Sequence, residues 1–248
     1  MRTLLAIPIF NEDKHLREVL ARVRPHIGDI LLVDDGSTDQ TPAIIRKETA
    51  IFQIRHPENR GYGQSLIDAF SFAEARGYDW LITMDCDEQH EPAHIPEFVD
   101  AARRDDADII SGSRYLIPLD GNGRPPPDRQ TINVCITRLL NRLLELNITD
   151  AFCGFKAYRV SVLRGLNLTI PGYAMPLQLW VRAARAGLRI RELPVRLIYN
   201  DPNRHFGGQL DDPRARLQHY FDVLSAELGI DTAAPIQDET ACTALQRC

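Results

Sequence analysis

Short apolar runs alternate with amphipathic stretches from Thr3 to Ser111, and this alternation constrains the fold more than any other feature. Thr3–Ile9 reads as a strand. A helix from Lys14 to about Arg24 follows, with Leu16, Val19, Leu20 and Val23 on one face and Asn11 and Asp13 offered as caps. Asp29–Val33 is a second buried strand. Ser37-Thr38-Asp39 opens a helix expected to reach about Thr49, and Ile51–Arg55 is a third strand. Gly61–Arg76 is amphipathic through Leu66, Ala69, Phe70 and Ala73, with Gly77 at the position where helices end on a left-handed residue. Asp79–Met84 and Ala107–Ser111 are the fourth and fifth strands, with a helix from His94 to Arg104 between them. Strands and helices joined by tight connections predict an α/β fold, a mostly parallel, doubly wound sheet flanked by helices.

The rest of the chain is less regular. Tyr115–Gln130 carries Gly121, Gly123 and three consecutive prolines, and reads as a mobile loop. Thr131–Leu146 is strongly helical. Phe155–Arg159 is a candidate strand, Ala174–Ala186 a helix, Leu188–Tyr199 a strand and Arg214–Leu228 a last helix. From about Asp231 the pattern turns polar and aperiodic, which predicts a flexible tail over 231–248. The 248 residues suffice for one α/β domain with a sizeable core. A net charge of −5 argues against nucleic-acid binding driven by overall charge. The five cysteines form no CxxC pair, which argues against a zinc site or a disulfide framework. No apolar run approaches the roughly 20 residues of a membrane-spanning helix. With no recognisable signal peptide, the expected location is cytoplasmic, with any membrane contact peripheral, at the inner face.

Parallel sheets bind ligands beyond the carboxyl ends of their strands, where strand order reverses. The first strand runs into Asn11-Glu12, the second into Asp34-Asp35-Gly36-Ser37, the fourth into Asp85-Cys86-Asp87-Glu88-Gln89-His90. In the common strand order 3-2-1-4 these acidic ends share one crevice. Carboxylates so placed repel, and a divalent cation relieves the repulsion. Oxygen ligands without a His/Cys cluster suit Mg²⁺ or Mn²⁺. Taken alone, Asp85-x-Asp87 is weak evidence, because a solvated acidic loop or a helix cap gives the same pattern. Asp34-Asp35-Gly36-Ser37 also reads as a strand-to-helix turn with Gly36 at positive φ. That turn does not explain two adjacent carboxylates, which could accept hydrogen bonds from a base or ribose. No GxGxxG follows the first strand and no GK[ST] follows Gly61-Tyr62-Gly63, which excludes dinucleotide and P-loop sites.

Five ordered segments resemble family 2 glycosyltransferases with the GT-A fold, across about residues 3–200. They are Ile7-Pro8-Ile9-Phe10-Asn11-Glu12, Val33-Asp34-Asp35-Gly36-Ser37-Thr38-Asp39, Asn59-Arg60-Gly61, Met84-Asp85-Cys86-Asp87-Glu88-Gln89-His90-Glu91-Pro92 and Gly112-Ser113-Arg114-Tyr115. The QHEP continuation, the GSRY segment and Asp150-Ala151-Phe152-Cys153-Gly154-Phe155-Lys156 most resemble the dolichyl-phosphate mannosyltransferase-like subgroup. The resemblance implies an inverting transfer from a nucleotide sugar. Pro8, Phe10 and Glu12 would wall the nucleotide, and Val33 and Asp35, with Asp34 beside them, would hold base or ribose. Asp85 and Asp87, flanking Cys86, would carry the metal on the diphosphate, with Gln89 as a further ligand. Arg114 would contact phosphate or sugar, and Arg204 would lie on a closing loop. Asp150 is the candidate base if the acceptor is a hydroxyl, with a cap or loop role as its alternative. A lipid phosphate is already ionised and needs no base. Arg124, Arg129, Arg138 and Arg142 are further candidates for an anionic acceptor.

The sequence departs from the subgroup at Cys153 and Lys156, where Ser and Arg are usual, and at Gln178, where Glu is expected. The Gly-x-Ser-Lys of the closing loop is replaced by Phe206-Gly207-Gly208-Gln209. The expectation is one domain over residues 1–230, with a nucleotide-sugar half (1–114) and an acceptor half (115–230). It would move a hexose from a UDP- or GDP-sugar to an acceptor, polyprenyl phosphate before a sugar hydroxyl of a glycan or glycolipid. A sugar-nucleotide-binding protein without turnover is the alternative from another class. The leucines of the 131–146 helix pack on the sheet or, in a second reading, meet a bilayer. The sequence leaves the oligomeric state open.

Overall fold

The computed structural model describes residues 1–87, 89–117, 123, 125–198 and 208–230, apart from the side chain at 209. One sheet contains β1 (Thr3–Ile9), β2 (Ile30–Asp34), β3 (Phe52–Arg55), β4 (Trp80–Thr83), β5 (Ile109–Ser113), β6 (Lys156–Arg159) and β7 (Ile190–Pro194). Its order is β3-β2-β1-β4-β6-β5-β7, so β2, β1 and β4 are neighbours as expected. All pairings are parallel except those of β6, which runs antiparallel to both β4 and β5. The helices are α1 (Leu16–Val23), α2 (Thr41–Ile45), α3 (Tyr62–Ala75), α4 (Ile95–Arg103), α5 (Pro127–Leu144), α6 (Val160–Leu163), α7 (Met175–Arg185) and α8 (Pro213–Leu228).

Buried on both faces, β2 and β4 explain the unbroken apolar runs of the sequence. Along β1, Leu4 and Ala6 face the core that holds α3, α5 and α7, while Leu5 and Ile7 face the core that holds α1 and α4. Leu139 and Leu140 of α5 are buried in the first core, and Leu143, Leu144 and Leu146 pack against it. The leucine face considered for a bilayer therefore lies on the protein's own core. Among the described residues no helix is long and apolar enough to cross a membrane.

Several expectations are corrected. Asn11 and Asp13 do not cap α1, which begins at Leu16 after an uncapped His15. Asn11, at φ 56°, instead accepts the N–H groups of Thr38 and Asp39 and ties the loop after β1 to the loop after β2. The helix expected over Ser37–Thr49 shrinks to α2, because the Ser37 N–H is taken by Asp34 and Asp39 accepts the Thr41 N–H. Proline suits the first helical turn, so α5 begins at Pro127, inside the expected loop. β7 ends at Pro194, where its pairing with Ser113 of β5 ends. The tail over 231–248 lies outside the described residues.

Candidate active site

The carboxyl ends of β1, β2 and β4 open on one side of the sheet, and the amino end of antiparallel β6 joins them. Thr83 of β4 pairs with Lys156 of β6, which sets Gly154 against the loop after β4. A Cβ on Gly154 would lie 2.2 Å from Asp85 Oδ2, so the Asp85 carboxylate occupies space that only glycine leaves. A cavity of about 510 Å³ spans this end. Its lining includes Pro8, Phe10, Glu12, Asp35, Asn59 and Gly61, and also Tyr62, Asp85, Cys86, Asp87 and Gln89. Arg114, Arg129, Phe152, Tyr173, Arg216 and Tyr220 line it as well.

Asp35 is buried with its oxygens in use. Oδ1 accepts from His56 at 2.6 Å and from the Arg60 N–H at 2.8 Å, and Oδ2 accepts the Gly61 N–H at 2.8 Å. Asp34 and Val33, expected on the nucleotide wall, are turned away from the cavity. Asp34 Oδ1 accepts the Ser37 N–H, Oδ2 lies 3.3 Å from Arg55, and Val33 is buried in the core. Strand alternation explains Asp34, whose neighbour Asp35, just past the end of β2, faces the crevice; Val33 shares the face of Asp35 but lies one step back, inside the core.

Asp85 Oδ1 accepts the Tyr62 hydroxyl at 3.0 Å, and the Asp85 N–H points at His90 Nδ1 at 3.2 Å. Burial first, and the Asp85 charge second, push the Tyr62 phenol well above its usual range, so it remains a donor. Asp87 accepts the Gln89 N–H at 3.1 Å. Among the described residues no cluster of three or more His, Cys, Asp or Glu side chains forms a closed metal cage. Two carboxylates on a cavity wall fit a hard divalent cation that takes its other oxygens from water or phosphate, as Mg²⁺ does.

Arg114 and Asp150 form a bidentate pair, Nε–Oδ2 2.6 Å and Nη2–Oδ1 2.9 Å. Asp150 is fully buried and also accepts from Asn133 Nδ2 at 2.8 Å and the Phe152 N–H at 3.2 Å. Burial pushes its carboxyl up, but the Arg114 charge and hydrogen bonds, aided by Asn133 and Lys156, outweigh burial and hold it well below the usual range. A carboxylate so committed is a poor proton acceptor. Its action falls on Arg114, which it aims at the cavity.

The departures noted in the sequence are accommodated. Lys156 is buried, donates to the Cys153 carbonyl and lies over the Trp180 ring at 5.4 Å, so a buried cation is kept. Burial depresses its pKa. Gln178 accepts the N–H groups of Thr169 and Ile170 through Oε1, and its Nε2 donates to Glu227. Glutamine suits this place because a carboxylate would face Glu227.

Arg138 and Arg142 are exposed and do not line the cavity, whereas Arg129 does. Arg124 and Arg204 lie outside the described residues, as does most of the replaced closing loop. Sequence reasoning missed Arg216 and Tyr220. They share one face of α8 with Leu224 at spacings of four, and an arginine on an apolar stripe was the available signal. Arg216 is held by Asp128 at 2.7 Å and by the Leu210 carbonyl at 3.0 Å. Tyr62 and Tyr173, stacked 5.6 Å apart, were also missed.

An α/β sheet of this order, with paired acids at the end of β4, defines a GT-A architecture. Glucosyl-3-phosphoglycerate synthase from Mycobacterium tuberculosis, crystallised with Mn²⁺, uridine diphosphate and phosphoglyceric acid, shares it at a TM-score of 0.68 and 20% identity, over 94% of this chain and 80% of that one. The sequence profile of glycosyl transferase family 2 matches residues 5–166, and the chain belongs to that family and is a glycosyltransferase. It is 32% identical over 207 residues to the undecaprenyl-phosphate mannosyltransferase of Micrococcus luteus, covering 80% of this chain and 84% of that protein. It is also 32% identical over 206 residues to the polyprenol monophosphomannose synthase of Mycolicibacterium smegmatis, covering 78% and 76%. A UDP-N-acetylglucosamine–dolichyl-phosphate N-acetylglucosaminyltransferase of Methanococcus voltae is 27% identical over 216 residues, covering 79% and 86%.

Proposed function

We propose that the cavity binds a UDP- or GDP-sugar and that its hexose passes, with inversion, to a polyprenyl phosphate. The observation that carries this reading is the lining of one cavity, which brings together the carboxylates Asp35, Asp85 and Asp87 and the arginines Arg114, Arg129 and Arg216. Pro8, Phe10 and Glu12 wall the nucleoside, and Asp35 accepts a hydrogen bond from it. Asp85, Asp87 and Gln89 hold Mg²⁺ or Mn²⁺, while Cys86, between the two acids in sequence, is buried in the core. When bound, the cation stabilises the charge that grows on the leaving diphosphate. Arg114, fixed by Asp150, sits where donor and acceptor phosphates meet and supplies a preorganised positive charge.

The state of Asp150 favours a phosphate acceptor over a sugar hydroxyl. A hydroxyl needs a base, and the candidate base is spent on Arg114 and Asn133. A lipid phosphate is ionised at neutral pH and needs only positioning. Arg129 and Arg216 offer it charge, and Phe152, Tyr173 and Tyr220 offer an apolar surface to the first isoprene units. Leu116 and Ile117, exposed just past Arg114, suit peripheral contact with the inner face of a membrane. The relatives named for transfer to undecaprenyl and polyprenol phosphate support the same acceptor class.

The test is incubation of the purified protein with labelled UDP- and GDP-hexoses and Mn²⁺, with undecaprenyl phosphate and, in parallel, with glycan and glycolipid acceptors. Organic-phase label from one donor is the expected result. Label moving only to a glycan or glycolipid would favour the hydroxyl acceptor. Nucleotide binding without any transfer would favour a non-catalytic sugar-nucleotide-binding protein.

A further inference from the structure

We propose that His56 is a positioning residue for the donor nucleotide. This inference rests on the donor-site reading above. His56 follows β3, and its N–H donates to the Asp34 carbonyl at 2.9 Å, so the β2–β3 ladder fixes its backbone. Its ring is buried between two carboxylates, Nδ1 2.6 Å from Asp35 Oδ1 and Nε2 2.8 Å from Asp68 Oδ2. Both ring nitrogens are thus within hydrogen-bond distance of a carboxylate oxygen, so the ring is held at both ends. Asp68, on α3, is steadied in turn by Gln64 Nε2 at 3.0 Å and lies 3.6 Å from the Arg60 guanidinium. The chain Asp68–His56–Asp35 thus ties α3 to the end of β2, behind the cavity wall.

The consequence follows from counting acceptor positions. A carboxylate has about four lone-pair sites. Asp35 Oδ1 gives two, to His56 and the Arg60 N–H, and Oδ2 gives one, to the Gly61 N–H. One position, on Oδ2, remains for the cavity. His56 therefore turns a carboxylate that could rotate, or take two donors, into a wall that accepts one N–H or O–H of the nucleoside. Without the ring, Asp35 Oδ1 loses one of its two partners, and both the carboxylate and the Arg60-Gly61 turn that it holds are released.

Calorimetric titration of UDP and of GDP with Mn²⁺ tests this on wild type, His56→Asn and Asp68→Asn, with melting temperature and transfer kinetics measured alongside. Loss of a hydrogen bond to a charged group weakens binding on the order of tenfold or more. The expected result is that weakening in His56→Asn, a smaller one in Asp68→Asn, and a KM that rises while kcat changes little. Asp68 is partly exposed, so its variant reports even where His56→Asn unfolds. Folded variants that bind both nucleotides as wild type does overturn the proposal, and so does a fall in kcat with KM unchanged. A wild-type protein that binds neither nucleotide overturns the donor-site reading itself, and this inference with it.

Discussion

Gly154 acts through what it lacks. Any Cβ there meets the Asp85 carboxylate at 2.2 Å, and that carboxylate cannot be moved without disturbing the proposed cation site. Displacing a reacting group by about 1 Å can cost roughly 100-fold in rate. Gly154→Ala is thus expected to lower kcat/KM about 100-fold while the protein stays folded, with circular dichroism as the check on folding. Asp85→Asn should remove the cation dependence of nucleotide binding and leave the melting temperature within a few degrees of wild type, since Asp85 lies on a cavity wall. Asp150 is different, because it is buried and paired. Its carboxyl is held well below the usual range, so its contribution to stability is present above about pH 4, the ordinary carboxylate range, and is lost as pH falls through the folded-state value. Breaking a buried pair from one side costs about 3–5 kcal/mol. Urea unfolding of Asp150→Asn should show a loss of that order at neutral pH and a flatter fall in stability below about pH 4. Equal acid slopes in variant and wild type would contradict the assignment.

At the scale of elements, α7 and α8 are joined by Glu227, which takes Gln178 on one side and Arg182 Nε at 2.9 Å on the other. Gln178 also holds the Thr169–Ile170 turn. The following residues press on the start of α3, where the Gln64 N–H donates to the Pro171 carbonyl and Tyr62 stacks on Tyr173. Gln178→Glu, the residue expected there from the resemblance, sets a second carboxylate against Glu227 and should destabilise by about 1–2 kcal/mol in denaturant unfolding. Glu227→Gln in the same chain should recover part of that loss, and purely additive effects would argue against the coupling. The sequence was most legible in the elements that carry their own pattern. Parallel β1, β2 and β4 are continuous apolar runs, and their acidic ends follow directly. Less legible were elements set by distant partners. β6 enters antiparallel between β4 and β5, and no local pattern announces that Gly154 will meet Asp85. Asn11 looks like a cap in sequence and becomes a tie between loops only once β1 and β2 lie side by side.

For the whole molecule, one sheet gathers residues from both halves of the chain into a single cavity. The part of the cavity proposed for the nucleotide was readable because strand ends and motifs coincide there. The alternation of β2 still decided between neighbours: Asp35 enters the cavity and Asp34 does not. The part proposed for the acceptor was harder, because Arg216 and Tyr220 reach the cavity only when α8 folds back over α5 and α7. The central claim is that this cavity is a cation-dependent donor site. Calorimetry of the intact protein with UDP and with GDP, each in Mn²⁺ and in EDTA, tests it most directly. The account predicts that one of the two binds in Mn²⁺ and that EDTA abolishes the binding. Equal binding with and without the cation, or none to a folded protein, would contradict it.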